Sequence, residues 1–228
     1  MTLISPGAEK ERVVSVVSIE PGDLVEYETQ PDSVKKLIEV SLELTKKKLG
    51  YQFGSNSPEN WGMDCSGTVQ STLNKLGLGE IPRSSFTIYE WAKTAGGLKA
   101  TPGVTSTEDP VFADLKPGDL LFWEGTYETG DRIPAISHVM IYLGKLKADG
   151  KGVMYGASSG RRYRGKSIHG VSVFDWVVPK AESDAKFVGY APVPGLQKKE
   201  DTPTPVEKPK PLKSALEFLF KKSEVSPL

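Results

Sequence analysis

Residues 64–76 read Asp64-Cys65-Ser66-Gly67-Thr68-Val69-Gln70-Ser71-Thr72-Leu73-Asn74-Lys75-Leu76 and put the chain's single cysteine where a helix begins. Val69, Leu73 and Leu76 recur at i, i+4 and i+7, which predicts a helix over 66–76 that Gly77 ends. A thiol at such a start lies beside unpaired backbone N–H groups and the positive end of the helix dipole. Both favour the thiolate over the thiol.

Upstream, Val34, Leu37, Ile38, Val40, Leu42 and Leu44 form a second apolar helical face, with Asp32 or Ser33 as N-cap. Lys46, Lys47 and Lys48 suit the C-terminus of that helix, and Gly50 stops it. Residues 1–33 read as a polar arm with short strand-like pieces over 13–19 and 24–27, separated by the turn Pro21-Gly22-Asp23. A shorter helix is predicted over 86–95. Beyond Leu115 the chain turns to strands, over 119–123, 137–144, 152–157, 171–176 and 187–193. Helices followed by a meander of strands define an α+β fold, with the N-terminal helices packed on a five- to six-stranded antiparallel sheet over 34–195. Residues 196–228 change character. Pro203, Pro205, Pro209 and Pro211 among lysines and glutamates read as a linker, ending in a short amphipathic piece over 212–222.

Composition narrows the function classes. Hydrophobic residues make up 38% and charged residues 25%, as in an ordinary globular domain. Lys+Arg and Asp+Glu balance at 29 each, so net charge recruits no nucleic acid. No apolar run approaches the ~20 residues that span a bilayer. The N-terminal stretch lacks the pattern of a signal peptide, which leaves two locations open: the cytoplasm, or the cell envelope after removal of a leader. There is no P-loop or dinucleotide fingerprint, and two histidines with one cysteine lack metal-ligand spacing. No cofactor and no metal are expected.

A lone cysteine with a distant histidine outlines a cysteine-nucleophile hydrolase. Cys65 is either that nucleophile or a buried structural thiol. Its neighbours Asp64, Ser66 and Gly67 are polar or small, which favours the nucleophile. His138 opens the strand-like run Ser137-His138-Val139-Met140-Ile141-Tyr142-Leu143-Gly144 and shares a face with Met140 and Tyr142. It is either the base that takes the thiol proton or a strand-edge histidine in a structural hydrogen bond.

The blocks Tyr51-Gln52-Phe53-Gly54, Asp64-Cys65-Ser66-Gly67, Ile81-Pro82-Arg83-Ser84-Ser85, Leu115-Lys116-Pro117-Gly118-Asp119-Leu120-Leu121-Phe122 and the His138 run occur in that order. Their order and spacing resemble the NlpC-like cell-wall cysteine peptidases (the NlpC/p-sixty group), over roughly residues 34–193. The resemblance implies a compact papain-like fold. It also implies hydrolysis of amide bonds in peptidoglycan stem peptides or muropeptides, commonly the bond between D-γ-glutamate and a diamino acid. In that reading Cys65 is the nucleophile, His138 the general base and then acid, and the Cys65 N–H helps to bind the oxyanion. Tyr51, Asp64, Ser66, Arg83, Ser84 and Ser85 match positions that line the cleft or contact substrate. Asp64 either accepts from a substrate ammonium or caps the helix. Arg83 either pairs with a substrate carboxylate or braces its loop.

The family's third polar residue, often a second histidine, orients the catalytic imidazole from the next strand. Here Tyr155 takes that position in the sequence, His169 reads as surface or rim, and a backbone carbonyl is the other group that could hold the ring. Two insertions flank the cleft. Residues 124–135 bring Tyr127, Asp131 and Arg132, and Arg161-Arg162-Tyr163-Arg164-Gly165-Lys166 is a basic turn that either meets carboxylates or is a solvated hairpin tip. Two other functions fit the same scaffold: a thiol hydrolase or acyltransferase for another amide or ester, and a catalytically silent cell-wall-binding module.

Overall fold

Helix α1 (Asp32–Lys46) opens the domain and buries Val34, Leu37, Ile38, Leu42 and Leu44, the apolar face that its periodicity predicts. In this computed structural model, which describes residues 14–196, its N-cap is Pro31 rather than Asp32 or Ser33. The Pro31 carbonyl accepts from the N–H groups of Val34 and Lys35, and Asp32 becomes the first helical residue, where its charge suits the dipole. The helix stops at Lys48, held left-handed at φ 53°, before the chain reaches Gly50. Gly50 belongs instead to a short strand, β1 (Gly50–Tyr51), paired in parallel with β2 (Gly62–Met63).

Helices α2 (Cys65–Lys75) and α3 (Ser85–Thr94) follow, and then the strands. These are β3 (Lys99–Ala100), β4 (Asp119–Glu124), β5 (Ile136–Lys145), β6 (Gly152–Ser158), β7 (Arg162–Tyr163), β8 (Lys166–Ser167), β9 (Gly170–Asp175) and β10 (Lys186–Pro192). The main sheet has six antiparallel strands in the order β3-β10-β4-β5-β6-β9. Its two-residue edge strand β3 is too short to show an alternation, and the sequence reading passes over it. β7 and β8 form a separate hairpin whose tip holds Arg164 and Gly165 at positive φ.

Both faces of the sheet are covered. Leu120, Phe122, Val139, Ile141, Tyr155 and Val173 face the three helices. On the opposite face Leu121, Trp123, Met140, Met154, Phe174 and Trp176 pack with one another and under loop residues such as Phe112 and Leu115. Burial on both faces explains why β4 reads Leu-Leu-Phe-Trp without polar alternation.

The two strand-like pieces predicted in the N-terminal arm are not strands in the described residues. Each contributes one bridge, Ser15 to His169 and Leu24 to Leu146, and 3-10 turns occupy Pro21–Asp23 and Tyr27–Thr29. The first piece runs along the edge of β9, where the Val17 N–H donates to the Ser172 hydroxyl at 2.7 Å instead of to a carbonyl. That side-chain bond interrupts the ladder. The predicted C-terminal linker and amphipathic piece lie outside the described residues.

Candidate active site

Asp64 sets the start of α2. Its backbone is extended, and its Oδ1 accepts from the Gly67 N–H at 2.6 Å, so Cys65 becomes the first residue of the helix. Gly67 is needed for a close approach of backbone: a Cβ there would lie 2.1 Å from the Ser55 carbonyl oxygen. The helix start is thereby pressed against the 54–57 loop.

Cys65 is only 5% exposed, and burial pushes its thiol up to about 11, with the Asp64 charge adding to the rise. The helix-start expectation of a favoured thiolate is therefore outweighed in the resting site by desolvation. Working in the other direction, the backbone N–H groups of Val139, Ser66 and Cys65 itself favour the charged sulfur and lower it.

His138 sits opposite Trp123 in the β4–β5 ladder, with ring centroids 5.8 Å apart. The imidazole is buried, its Nε2 has no partner, and no hydrogen bond joins it to the thiol. Burial, followed by the positive charge of Arg161, holds it well below the usual histidine range. At neutral pH both the Cys65 thiol and the His138 imidazole are therefore uncharged.

Tyr155 does not meet His138. Ile141 and Tyr155 are cross-strand partners and share a face, and Ile141 lies an odd number of residues from His138, so Tyr155 lies on the opposite side of the sheet. Its hydroxyl is 3.0 Å from that of Thr72 on α2, and Thr72 in turn donates to the Thr68 carbonyl. The residues of β6 on the His138 side are Met154, Gly156 and Ser158, and Gly156 abuts Met140. Counting by twos along the strand carries the signal that would have made this distinction. Tyr155→Phe is expected to cost about 1 kcal/mol of stability, from one lost hydrogen bond, and to leave turnover within about twofold. A loss of rate beyond tenfold at unchanged stability would return Tyr155 to the chemistry.

Asp64, Ser66 and Arg83 come together, but with one another. Arg83 donates from Nη2 to Asp64 Oδ2 at 2.7 Å, and from Nη1 to Oδ1 at 3.1 Å and to the Ser66 hydroxyl at 2.9 Å. The Gly54 N–H and the Ser66 hydroxyl also donate to the carboxylate. Asp64 is therefore the helix cap and Arg83 the brace of its loop. Ser84 caps α3 through a reciprocal pair with Thr87, and the buried Ser85 hydroxyl reaches the Ile136 carbonyl at 3.4 Å. Tyr51 is half-buried, and desolvation, with the Cys65 and Asp64 charges, holds its phenol well above the usual tyrosine range.

These groups line a cleft of about 300 Å³ that reaches Cys65. Phe53, exposed, meets Tyr127 edge-to-face at 5.9 Å across it, and Arg132 lies on the same wall. Phe53 was quoted in the sequence only as part of a block, and its exposure is what marks it. His169 is exposed and pairs through its backbone with Ser15. A larger hollow, about 940 Å³, lies at the far end of β5 and β6 and holds neither cysteine nor histidine.

Folding couples to both titrations. The fold keeps the imidazole neutral, so that contribution is present above 6.5 and is lost as the pH falls below it. It also keeps the thiol neutral. Stability is present below 9.0 and is lost as the pH rises from there toward about 11, at up to about 1.4 kcal/mol per pH unit. Urea midpoints are expected to fall on both flanks, and Cys65→Ser should remove the part of the alkaline fall that begins at 9.0 while sparing the acid one. An unchanged alkaline flank in that variant would assign it to another group.

Among the described residues no group of three or more His, Cys, Asp or Glu side chains has the arrangement to hold a metal, and no helix is long and apolar enough to cross a membrane. A lone thiol on the first turn of a helix that packs, with two others, against a six-stranded antiparallel sheet carrying a buried histidine fits the class of papain-like cysteine hydrolases. The NlpC/P60 family model matches residues 48–172, over half of the sequence, and the chain belongs to the NlpC/P60 family. It is 37% identical over 95 residues to the gamma-DL-glutamyl hydrolase of Bacillus subtilis (strain 168), a match covering 41% of this chain and 18% of that protein. Two solved structures are similar. One is a lipoprotein-like NLP/P60 protein of Staphylococcus aureus, at 23% identity and TM-score 0.44, covering 71% of this chain and 41% of that one. The other is an NlpC/P60 endopeptidase of Photobacterium damselae, at 14% identity and TM-score 0.43, covering 68% and 39%.

Proposed function

We propose that this domain hydrolyses amide bonds in peptidoglycan stem peptides, at the bond between D-γ-glutamate and the diamino acid, through a thioester on Cys65. The observation that carries this reading is the Cys65 sulfur at the first turn of α2. It opens on the cleft, and the backbone N–H groups around it favour its charged form. Family membership supports the cysteine chemistry, and the relative named a gamma-DL-glutamyl hydrolase supports the γ-glutamyl bond.

The sulfur attacks the carbonyl carbon as its proton passes to the imidazole, and the Cys65 N–H steadies the oxyanion. The tetrahedral species collapses, the C–N bond breaks, and the imidazolium returns its proton to the leaving amine. Because His138 is buried near a cation, its imidazolium is a strong acid, suited to that step. Water, deprotonated by the same imidazole, then hydrolyses the thioester to a carboxylate and frees the thiol.

Mass spectrometry of defined muropeptides after incubation tests the reading. The expected products are a peptide ending in D-glutamate with a free γ-carboxyl and a peptide beginning with the diamino acid. Intact muropeptides alongside turnover of another acyl substrate would move the protein to a different amide or ester. Retention on peptidoglycan with no turnover of either would make it a binding module.

A further inference from the structure

With Tyr155 committed to Thr72 and Gly156 set against Met140, the polar residue of β6 on the His138 side is Ser158, whose hydroxyl accepts from the Gly160 N–H at 3.4 Å. The charge that acts on His138 comes from the turn after β6. Arg161 holds its guanidinium carbon 4.1 Å from the centroid of the Trp123 ring, the same ring that pairs with His138. Its backbone is fixed, because its carbonyl accepts from the Ile168 N–H at 2.9 Å at the base of the β7–β8 hairpin. The other cations of that turn face outward: Arg162, Arg164 and Lys166 are exposed, and Arg164 pairs with Asp149. The Arg161 side chain is partly buried and, among the described residues, makes no hydrogen bond or ion pair. A half-buried guanidinium without a counter-charge, held over the aromatic ring that meets His138, is a charge placed for something transient.

We propose that Arg161 is the third member of the site, a positioning residue whose charge, anchored on Trp123, balances the negative sulfur of Cys65 during turnover. This rests on Cys65 being the nucleophile. The usual orienter favours the imidazolium, whereas a cation opposes it and favours the thiolate. The site thus works with its charge compensation on the sulfur side. Burial pulls the guanidinium down to about 10, which leaves it charged at neutral pH, and the one influence raising it is the Cys65 sulfur. The charge that pushes the Cys65 thiol up is Asp64, already paired with Arg83, and the Tyr51 phenol on the same cleft is neutral.

The test is the rate of alkylation of Cys65 by iodoacetamide, a neutral reagent, in the full chain from about pH 6 to about pH 9, below the thiol's midpoint, where the rate follows the thiolate fraction, beside Arg161→Met and Arg161→Lys. Loss of the charge is expected to slow the reaction roughly tenfold throughout that range, the equivalent of about one pH unit in the midpoint. Arg161→Lys should restore most of the rate. An unchanged rate in Arg161→Met would leave Arg161 a packing residue. The wild-type protein supplies a second measurement that no variant can spoil. The iodoacetate-to-iodoacetamide rate ratio should exceed that of free cysteine, and an equal or lower ratio counts against the proposal. A wild-type thiol that reacts only after unfolding would instead remove the nucleophile, and with it the proposed function.

Discussion

Cys65→Ser is expected to lower kcat/KM for stem-peptide hydrolysis by about ten-thousand-fold or more, with the fold and its melting midpoint nearly unchanged. The near-isosteric hydroxyl fits where the sulfur sits. What it cannot do is give up its proton. The base proposed for it is an imidazole whose basicity is already depressed by burial and by Arg161, and an alcohol is a far weaker acid than a thiol. Measured on a muropeptide that the wild-type protein cleaves, a serine variant retaining a tenth of the activity would remove Cys65 from the chemistry. A variant with a lost melting transition would show only that the site had been built wrongly.

Most of this arrangement is local and was legible before any coordinates. Helices α1, α2 and α3 and the five long strands follow from hydrophobic period and punctuation, and their ends differ from the predicted ones by a residue or two. What resisted was whatever depends on two segments at once. Asp64 is compatible with a cap or a ligand in one dimension, and only the arrival of Arg83 and of the Gly54 N–H from other loops makes it a closed network. Arg161 belongs by composition to a basic hairpin tip, and its three neighbouring cations behave as such. Its inward course is set by Trp123, which lies far back on β4. Tyr155 was within reach of sequence reasoning, because strand parity alone puts it on the helix side, away from His138.

The Asp64 network carries the largest expected effect on stability. Asp64→Ala removes the cap of α2 and leaves the Gly67 and Gly54 N–H groups without their acceptor. It also strips Arg83 of both carboxylate contacts. Arg83 is 37% exposed, so water recovers part of what it loses, and the cost falls short of the full penalty for breaking a buried pair. The sum is about 3 kcal/mol, read as a drop in urea midpoint at unchanged slope. Activity should fall further than stability alone explains, on the order of a hundredfold, because the first turn of α2 carries the sulfur and frays without its cap. Asp64→Asn separates the two contributions. Its amide oxygen can still cap Gly67, while its amide nitrogen now faces the Arg83 and Gly54 donors. The expected loss is intermediate in stability and small in rate at saturating substrate, since removing the Asp64 charge also removes one of the influences that push the Cys65 thiol up. If Asp64→Ala costs under about 1 kcal/mol, the network is no stronger than a surface pair. If Asp64→Asn raises KM steeply while kcat holds, the carboxylate meets the substrate directly and the cap is its secondary task.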